Sequence, residues 1–209
     1  MTESSNEVII SLVSGLVGVL VGAIIQIIYS TKSEKRQHIH EYKQMCMEEW
    51  IVLRDDLKNL LDGLNVDRIN LIGFSLGGAV AIDFTVRHPE MVSSLVLMST
   101  FSKCDDYLEK VFAEFKSNLC GGFEEFYDYM IPKVLCPEVI EKNAEELEML
   151  KQIYSKSANV EAYIKTTEAC LNFNAEDRLS DITQPTLILA GKYDEICPLM
   201  YQETLNRMI

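Results

Sequence analysis

Residues 68–78 read RINLIGFSLGG, and this stretch decides the fold. Arg68 to Ile72 is a short run that favours extended backbone, because β-branched and other bulky apolar side chains suit a pleated, buried surface. Gly73-Phe74-Ser75-Leu76-Gly77-Gly78 interrupts it, and an apolar stretch of helical character then continues through Val86 until Pro89 stops it. The reading is strand, tight turn, helix. A lone G-x-S-x-G string arises easily by chance, but placed between a strand and a helix it describes a serine lifted out of a sheet on a strained turn. Side chains two residues to either side would collide with the neighbouring strand and helix, which explains glycine at positions 73 and 77. At the start of a helix, Ser75 has backbone N–H groups beside it that can stabilise an oxyanion. A glycine-rich turn that merely packs a helix on a strand is the competing reading. A phosphate-cradling loop is not, since neither G-x-x-x-x-G-K-[ST] nor G-x-G-x-x-G is present.

Outward from this turn, Ser93 to Met98 (SSLVLM) reads as a second strand of the kind buried on both faces in parallel sheets. Thr186 to Ala190 (TLILA) reads as a third, introduced by Pro185 and followed by Gly191. Upstream, Trp50, Leu53, Leu57, Leu60, Leu61 and Leu64 follow helical spacing, so a helix with one buried face is expected between Glu41 and Leu64. Strands alternating with helices favour right-handed crossovers, hence an α/β fold with about three adjacent parallel strands near 68–73, 92–98 and 185–190. The acidic stretch 101–181 lacks strand periodicity and is expected to form several helices inserted over the sheet as a lid.

The segments INLIGFSLGGAVAIDFTVRHPEMVSSLVLMST and DITQPTLILAGKYDEICP together resemble the fifth to seventh strands of the α/β-hydrolase family. The resemblance covers roughly 49–209. It implies a serine hydrolase of the esterase or lipase type acting on a small-molecule ester-like substrate, in which Ser75 matches the nucleophile and Asp194, just past the Gly191 turn, matches the triad acid. The N–H of Leu76 matches one oxyanion-hole donor. No cofactor or metal is implied. Substrate identity is not, because lactonases, carboxylesterases, haloperoxidase-like enzymes and acyltransferases share this turn, and a fold does not fix a reaction.

The family's triad runs serine, acid, histidine, yet no histidine follows Asp194. Of the three present, His38 and His40 lie far upstream, and His88 ends the helix that Ser75 begins, roughly 20 Å away at 1.5 Å per helical residue. A general base must come within ~3 Å. The upstream strands and the loop carrying a second oxyanion donor are also missing from the expected place. The sequence therefore reads as a partial α/β-hydrolase domain, truncated at both ends and catalytically incomplete. The strand at Ile69 to Ile72 is expected to be an exposed sheet edge. The alternative is a non-catalytic hydrolase-like binding module or a nonfunctional gene remnant.

Val8 to Tyr29 (VIISLVSGLVGVLVGAIIQIIY) is an uncharged apolar run of about 22 residues, matching the ~20 needed for a helix to span a bilayer. A signal peptide and a buried soluble helix are the rivals. Glu3 and Glu7 precede the run while Lys32, Lys35 and Arg36 follow it, so the charge bias predicts a single-pass membrane protein with its C-terminal domain in the cytoplasm. Ser14, Gly18 and Gly22 repeat every four residues and suggest self-association of such helices. The expected organisation is a transmembrane anchor over 1–31, a polar tether over 32–48 and the hydrolase domain over 49–209, with its lid at about 101–181. A net charge of -13 and pI near 4.7 argue against nucleic acid as a partner. Six scattered cysteines form no C-x-x-C pair, and His38, His40 and Cys46 lack a further ligand at metal-site spacing.

Overall fold

The computed structural model describes residues 9–10 and 49–209. Helix α1 (Glu49–Leu64) turns Leu53, Leu57 and Leu61 to the core and leaves Leu60 and Leu64 exposed, so the apolar spacing is broader than the face it buries. It ends where Asn65 takes a left-handed φ of 54° and the Val66 N–H donates to the Leu61 carbonyl. Asparagine tolerates that conformation better than most residues. Strand β2 (Ile69–Phe74) follows, then Ser75, helix α2 (Leu76–Arg87) and strand β3 (Val92–Met98). Helices α3 (Asp106–Gly121), α4 (Phe123–Val134), α5 (Pro137–Lys142), α6 (Ala144–Ser157) and α7 (Val160–Leu171) make up the helical segment between β3 and β4. A 3₁₀ turn (Glu176–Asp181) leads to strand β4 (Thr186–Leu189), and helix α8 (Leu199–Met208) comes last among the elements.

The sheet has the order β1-β2-β3-β4, where β1 is the two-residue strand Ile9–Ile10, and every pair is parallel. Leu71 pairs with Leu95 and Leu95 with Thr186, so the three longer strands run in step and finish at one end. One irregularity between Ile69 and Asn70 shifts the β2–β3 register, and beside it Ser94 Oγ donates to Asn70 Oδ1 at 2.7 Å. Helix α2 packs on β2 and β3 with nearly all of its residues from Leu76 to Thr85 buried. In this segment α3 packs on α4 and α7, and Phe101, Phe112, Phe115 and Phe126 form a run of edge-on and tilted ring contacts that leads from α3 to α4.

Two sequence-based expectations need correction. The membrane-spanning helix from Val8, and with it the single-pass placement with a cytoplasmic domain, is overturned: Ile9 and Ile10 are sheet residues, paired with Asn70 and Leu71, and a strand there breaks a continuous helix. No helix among the described residues is long and apolar enough to cross a membrane. Hydropathy misleads here because an apolar, β-branched run serves a buried parallel strand as well as a helix. The remainder of that run, the self-association positions Ser14, Gly18 and Gly22, and the 32–48 tether lie outside the described residues. The exposed edge expected at Ile69 to Ile72 is likewise not found, since β1 covers it and Ile69 and Leu71 are each only 2% exposed. At the other side of the sheet, Leu187 and Leu189 of β4 are exposed.

One buried charge ties the elements around the sheet together. Asp83 of α2 is fully buried; its Oδ2 accepts from Arg54 Nη1 of α1 at 2.7 Å and from Arg87 Nε at 3.0 Å. Its Oδ1 faces Arg178 Nη1 of the 3₁₀ turn at 2.8 Å. Burial opposes the charged carboxylate, but the hydrogen bond from Arg54 and the close positive charges of Arg178 and Arg87 outweigh it and hold the carboxyl below its usual range. A group with a depressed folded pKa stabilises the fold above its unfolded pKa, near 3.9, and that contribution disappears as pH falls through the folded value. Removing one member of such a buried cluster typically costs about 3–5 kcal/mol. Urea unfolding of Asp83→Asn at neutral pH should show a loss of about 3 kcal/mol. The wild type should lose stability below about pH 4 more steeply than Asp83→Asn, which lacks the titrating group. Superposable acid profiles would mean that the cluster is not what couples α1 and the 3₁₀ turn to α2.

Candidate active site

The backbone at Ser75 is forced by what lies around it. Its φ of 51° and ψ of -124° are rare for a side-chain-bearing residue. The Ser75 N–H donates to the Met98 carbonyl at 3.0 Å, continuing the β2–β3 ladder past the end of β2. Its carbonyl then turns to accept from the Gly78 N–H at 2.8 Å, from the Ala79 N–H at 3.4 Å and from Thr100 Oγ1 at 2.7 Å. Strand hydrogen bonding on one side and helix hydrogen bonding on the other thus meet within a single residue.

Glycine is required at two places here, and one differs from the sequence-based expectation. A Cβ at Gly73 would lie 2.6 Å from the Gly77 carbonyl oxygen and 2.6 Å from Gly78 Cα. A Cβ at Gly77, the second motif glycine, would meet nothing within 4 Å among the described residues. Gly78 is the tight position instead: its Cβ would fall 2.4 Å from Thr100 Oγ1 and 2.5 Å from Thr100 Cβ. Helix α2 approaches the exit of β3 along Gly78, not Gly77.

Because β2, β3 and β4 are parallel, Ser75, Ser99 and the 191–194 turn all follow C-terminal strand ends, the location where ligands bind in open α/β sheets. Ser99 has a φ of 44° and donates its N–H to the Leu189 carbonyl. A Cβ at Gly191 would lie 3.2 Å from Asp194 Cβ and 3.9 Å from Ser99 Oγ, which sets the Asp194 turn against the exit of β3. Asp194 is half-buried, and its Oδ1 accepts from the Ile196 and Cys197 N–H groups at 3.0 and 2.8 Å. Those two bonds fix one carboxylate oxygen. The turn is also held from α3, α4 and α8: Tyr107 Oη of α3 donates to the Glu195 carbonyl, the Glu195 N–H donates to the Lys133 carbonyl of α4 at 2.7 Å, and Gln202 Nε2 of α8 donates to the Cys197 carbonyl at 2.9 Å. Asp105, the N-cap of α3, accepts from Tyr201 Oη at 2.6 Å. Burial works against its charge, yet the Tyr201 hydroxyl and the α3 N–H groups keep its carboxyl below the usual range.

Cysteine nucleophiles have no support nearby. Burial, then the charges of Asp194 and Cys170, push the Cys197 thiol well up, and burial with Asp105 and Glu109 pushes Cys104 up to about 11. Neither is a thiolate at neutral pH. His88 caps the far end of the twelve-residue helix α2, with its ring 5.0 Å from that of Phe84, as the sequence suggested. Among the described residues the sequence contains no other histidine. Thr100, Ser99 and Gly78 were not singled out from the sequence. The first two follow β3 in the plain string MST, and only the three-dimensional approach of β3 to α2 gives them meaning.

Residues 28–207 match the family described as alpha/beta hydrolase fold, and the chain belongs to that family. The matched region begins inside the apolar run. Among its relatives is a protein named putative carbamate hydrolase RutD from Rhizobium rhizogenes, 29% identical over 152 residues that cover 70% of this chain and 56% of the relative. The chain thus spans about half the length of the curated relatives it matches. Two solved structures share the fold: MGS-M2, an alpha/beta hydrolase from a Medee basin deep-sea metagenome library, and the enol-lactonase of Burkholderia xenovorans LB400. The first has a TM-score of 0.73 at 22% identity, covering 79% of this chain and 62% of that one. The second has a TM-score of 0.70 at 20% identity, covering 77% and 61%.

The glycine geometry yields a paired test. Gly78→Ala should lower stability by about 1–3 kcal/mol through crowding against Thr100. Gly77→Ala, with open space and a better helix residue, should be neutral or stabilising by up to about 1 kcal/mol. Denaturant unfolding of the two variants checks this. Equal losses would show that the contact with Thr100 is not what demands glycine.

Proposed function

We propose that this chain supplies the nucleophile and the acid of a serine hydrolase acting at the carbonyl of a small-molecule carboxylic ester or carbamate. The observation that supports it best is the strained backbone of Ser75 at the start of α2, at the sheet end shared with the Asp194 turn. In this reading Ser75 Oγ attacks the carbonyl carbon and its proton passes to a base. The oxyanion is met by the Leu76 N–H; the C–O bond to the alcohol then breaks, the alcohol departs with the proton returned by the base, and the acyl- or carbamoyl-serine left behind is hydrolysed by water. Asp194 would orient and charge-stabilise the base, a role suited to a carboxylate with one oxygen already fixed by backbone N–H groups. The names of the relatives, carbamate hydrolase and enol-lactonase, both denote cleavage at an acyl carbon, and that agrees with this class of substrate.

Among the described residues no histidine stands within reach of Ser75 as a base. His88 lies roughly 20 Å from Ser75, at the far end of α2, well beyond the ~3 Å of a general base. His38 and His40 fall outside the described residues. Losing the base of a serine triad costs about 10⁶ in kcat, so the chain by itself is expected to turn over poorly. The second reading is a hydrolase-like module that binds under its helical lid without catalysing.

Purified chain and Ser75→Ala should be offered an activated short-chain ester and an activated carbamate, with a fluorophosphonate probe in parallel. The expected result is near-background turnover in both proteins, with slow probe labelling only in the wild type, because about 10³ to 10⁴ of rate enhancement survives loss of a triad member. Ser75-dependent turnover of about 1 s⁻¹ or more would overturn the incomplete-site reading. Labelling indistinguishable from Ser75→Ala would favour the binding module.

A further inference from the structure

We propose that Thr100 is a positioning residue whose hydroxyl sets the direction of the Leu76 N–H. The inference rests on the reading of that N–H as an oxyanion donor, and it adds a residue that acts through the backbone alone. Thr100 is fully buried immediately beyond β3, and its Oγ1 donates to the Ser75 carbonyl at 2.7 Å. The Ser75 carbonyl and the Leu76 N–H belong to one peptide unit. Among the described residues no peptide bond is cis, and in a planar trans unit the C=O and N–H point in opposite directions. Drawing the carbonyl toward Thr100 therefore turns the Leu76 N–H to the opposite side. That N–H opens α2 and has no acceptor within its own helix.

Two further features indicate that the hydroxyl is built to this task. Gly78 lacks the Cβ that would fall 2.4 to 2.7 Å from Thr100 Oγ1, Cβ and Cγ2, so the side chain occupies a space kept open for it. Ser99, directly before it, is held at a φ of 44° with its N–H on the Leu189 carbonyl, and this turns the chain at the end of β3. The carbonyl also accepts from the Gly78 N–H at 2.8 Å, but any helix start supplies such a bond. The Thr100 hydroxyl is the contact that comes from the neighbouring strand.

The test compares wild type with Thr100→Val, which replaces the hydroxyl by a methyl group, and Thr100→Ser, which keeps the hydroxyl. Thr100→Ala serves as a second hydroxyl-free variant should valine crowd Gly78. The readout is the direction of the Leu76 N–H bond relative to the other α2 amides, from residual dipolar couplings of the folded, unreacted protein. A purely structural role for the side chain would leave that direction unchanged. Thr100→Val and Thr100→Ala should reorient the Leu76 N–H while the amides from Val80 to Phe84 keep their couplings, and Thr100→Ser should match the wild type. Ser75 phosphonylation by the probe should fall about tenfold in the hydroxyl-free variants, less than the 10² to 10³ for outright loss of an oxyanion donor, and should recover in Thr100→Ser. A Leu76 vector unchanged in both hydroxyl-free variants overturns the proposal, as does one displaced equally in Thr100→Ser. If the vector moves as expected but Ser75 reacts in no protein, the positioning role stands and the hydrolase reading fails.

Discussion

The conformation of Ser75 is the constraint on which the rest of the site depends. A residue with a side chain at a φ of 51° carries a cost of order 1–3 kcal/mol, and it persists only where the surroundings over-determine it. Here the Met98 carbonyl holds the Ser75 N–H on the strand side, while Gly78, Ala79 and Thr100 hold its carbonyl on the helix side. Neither set could act without the close approach of α2 to β2 and β3 that Gly73 and Gly78 permit. The order of causes runs from two missing Cβ atoms, to a helix pressed on a sheet, to a strained turn, to a hydroxyl raised at the sheet's end.

Around this centre the protein uses buried polar contacts to join elements distant in sequence. Asp83 collects Arg54, Arg87 and Arg178 and so fixes α1 and the 3₁₀ turn against the helix that begins at Ser75. At the other end, the turn carrying Asp194 is stitched to α3 by Tyr107, to α4 by the Lys133 carbonyl and to α8 by Gln202. These helices and the Asp194 turn therefore share their anchoring. A displacement of α3 would be felt at the Glu195 peptide, next to the carboxylate proposed as the triad acid.

Much of the sheet was legible in the sequence because its signals are local. An apolar run, a glycine-serine turn and a proline stop define β2, α2 and β3 within a residue or so of their observed limits. Positions beyond strand ends, such as Ser75 and Asp194, followed once the strands were known to be parallel. What could not be read is what depends on approach in space. Gly77 and Gly78 look alike in the sequence, and only the proximity of Thr100 separates them. Asp83 resembles an ordinary helix carboxylate until arginines from residues 54 and 178 are folded onto it. The apolar run from Val8 misled for a related reason: hydropathy measures the preference to leave water but not the partner, and Ile9–Ile10 found that partner in β2.

The account stands on the backbone angle at Ser75, and the most direct test measures that angle in solution without relying on reactivity. Backbone chemical shifts and cross-correlated relaxation of the folded chain give φ at Ser75 with its sign. The account predicts a positive value near 51°, with Leu76 as the first residue at helical angles. A negative, helix-like or extended φ at Ser75 in the folded protein would contradict it, since the serine would then lie within an ordinary helix start with nothing holding it out at the end of the sheet.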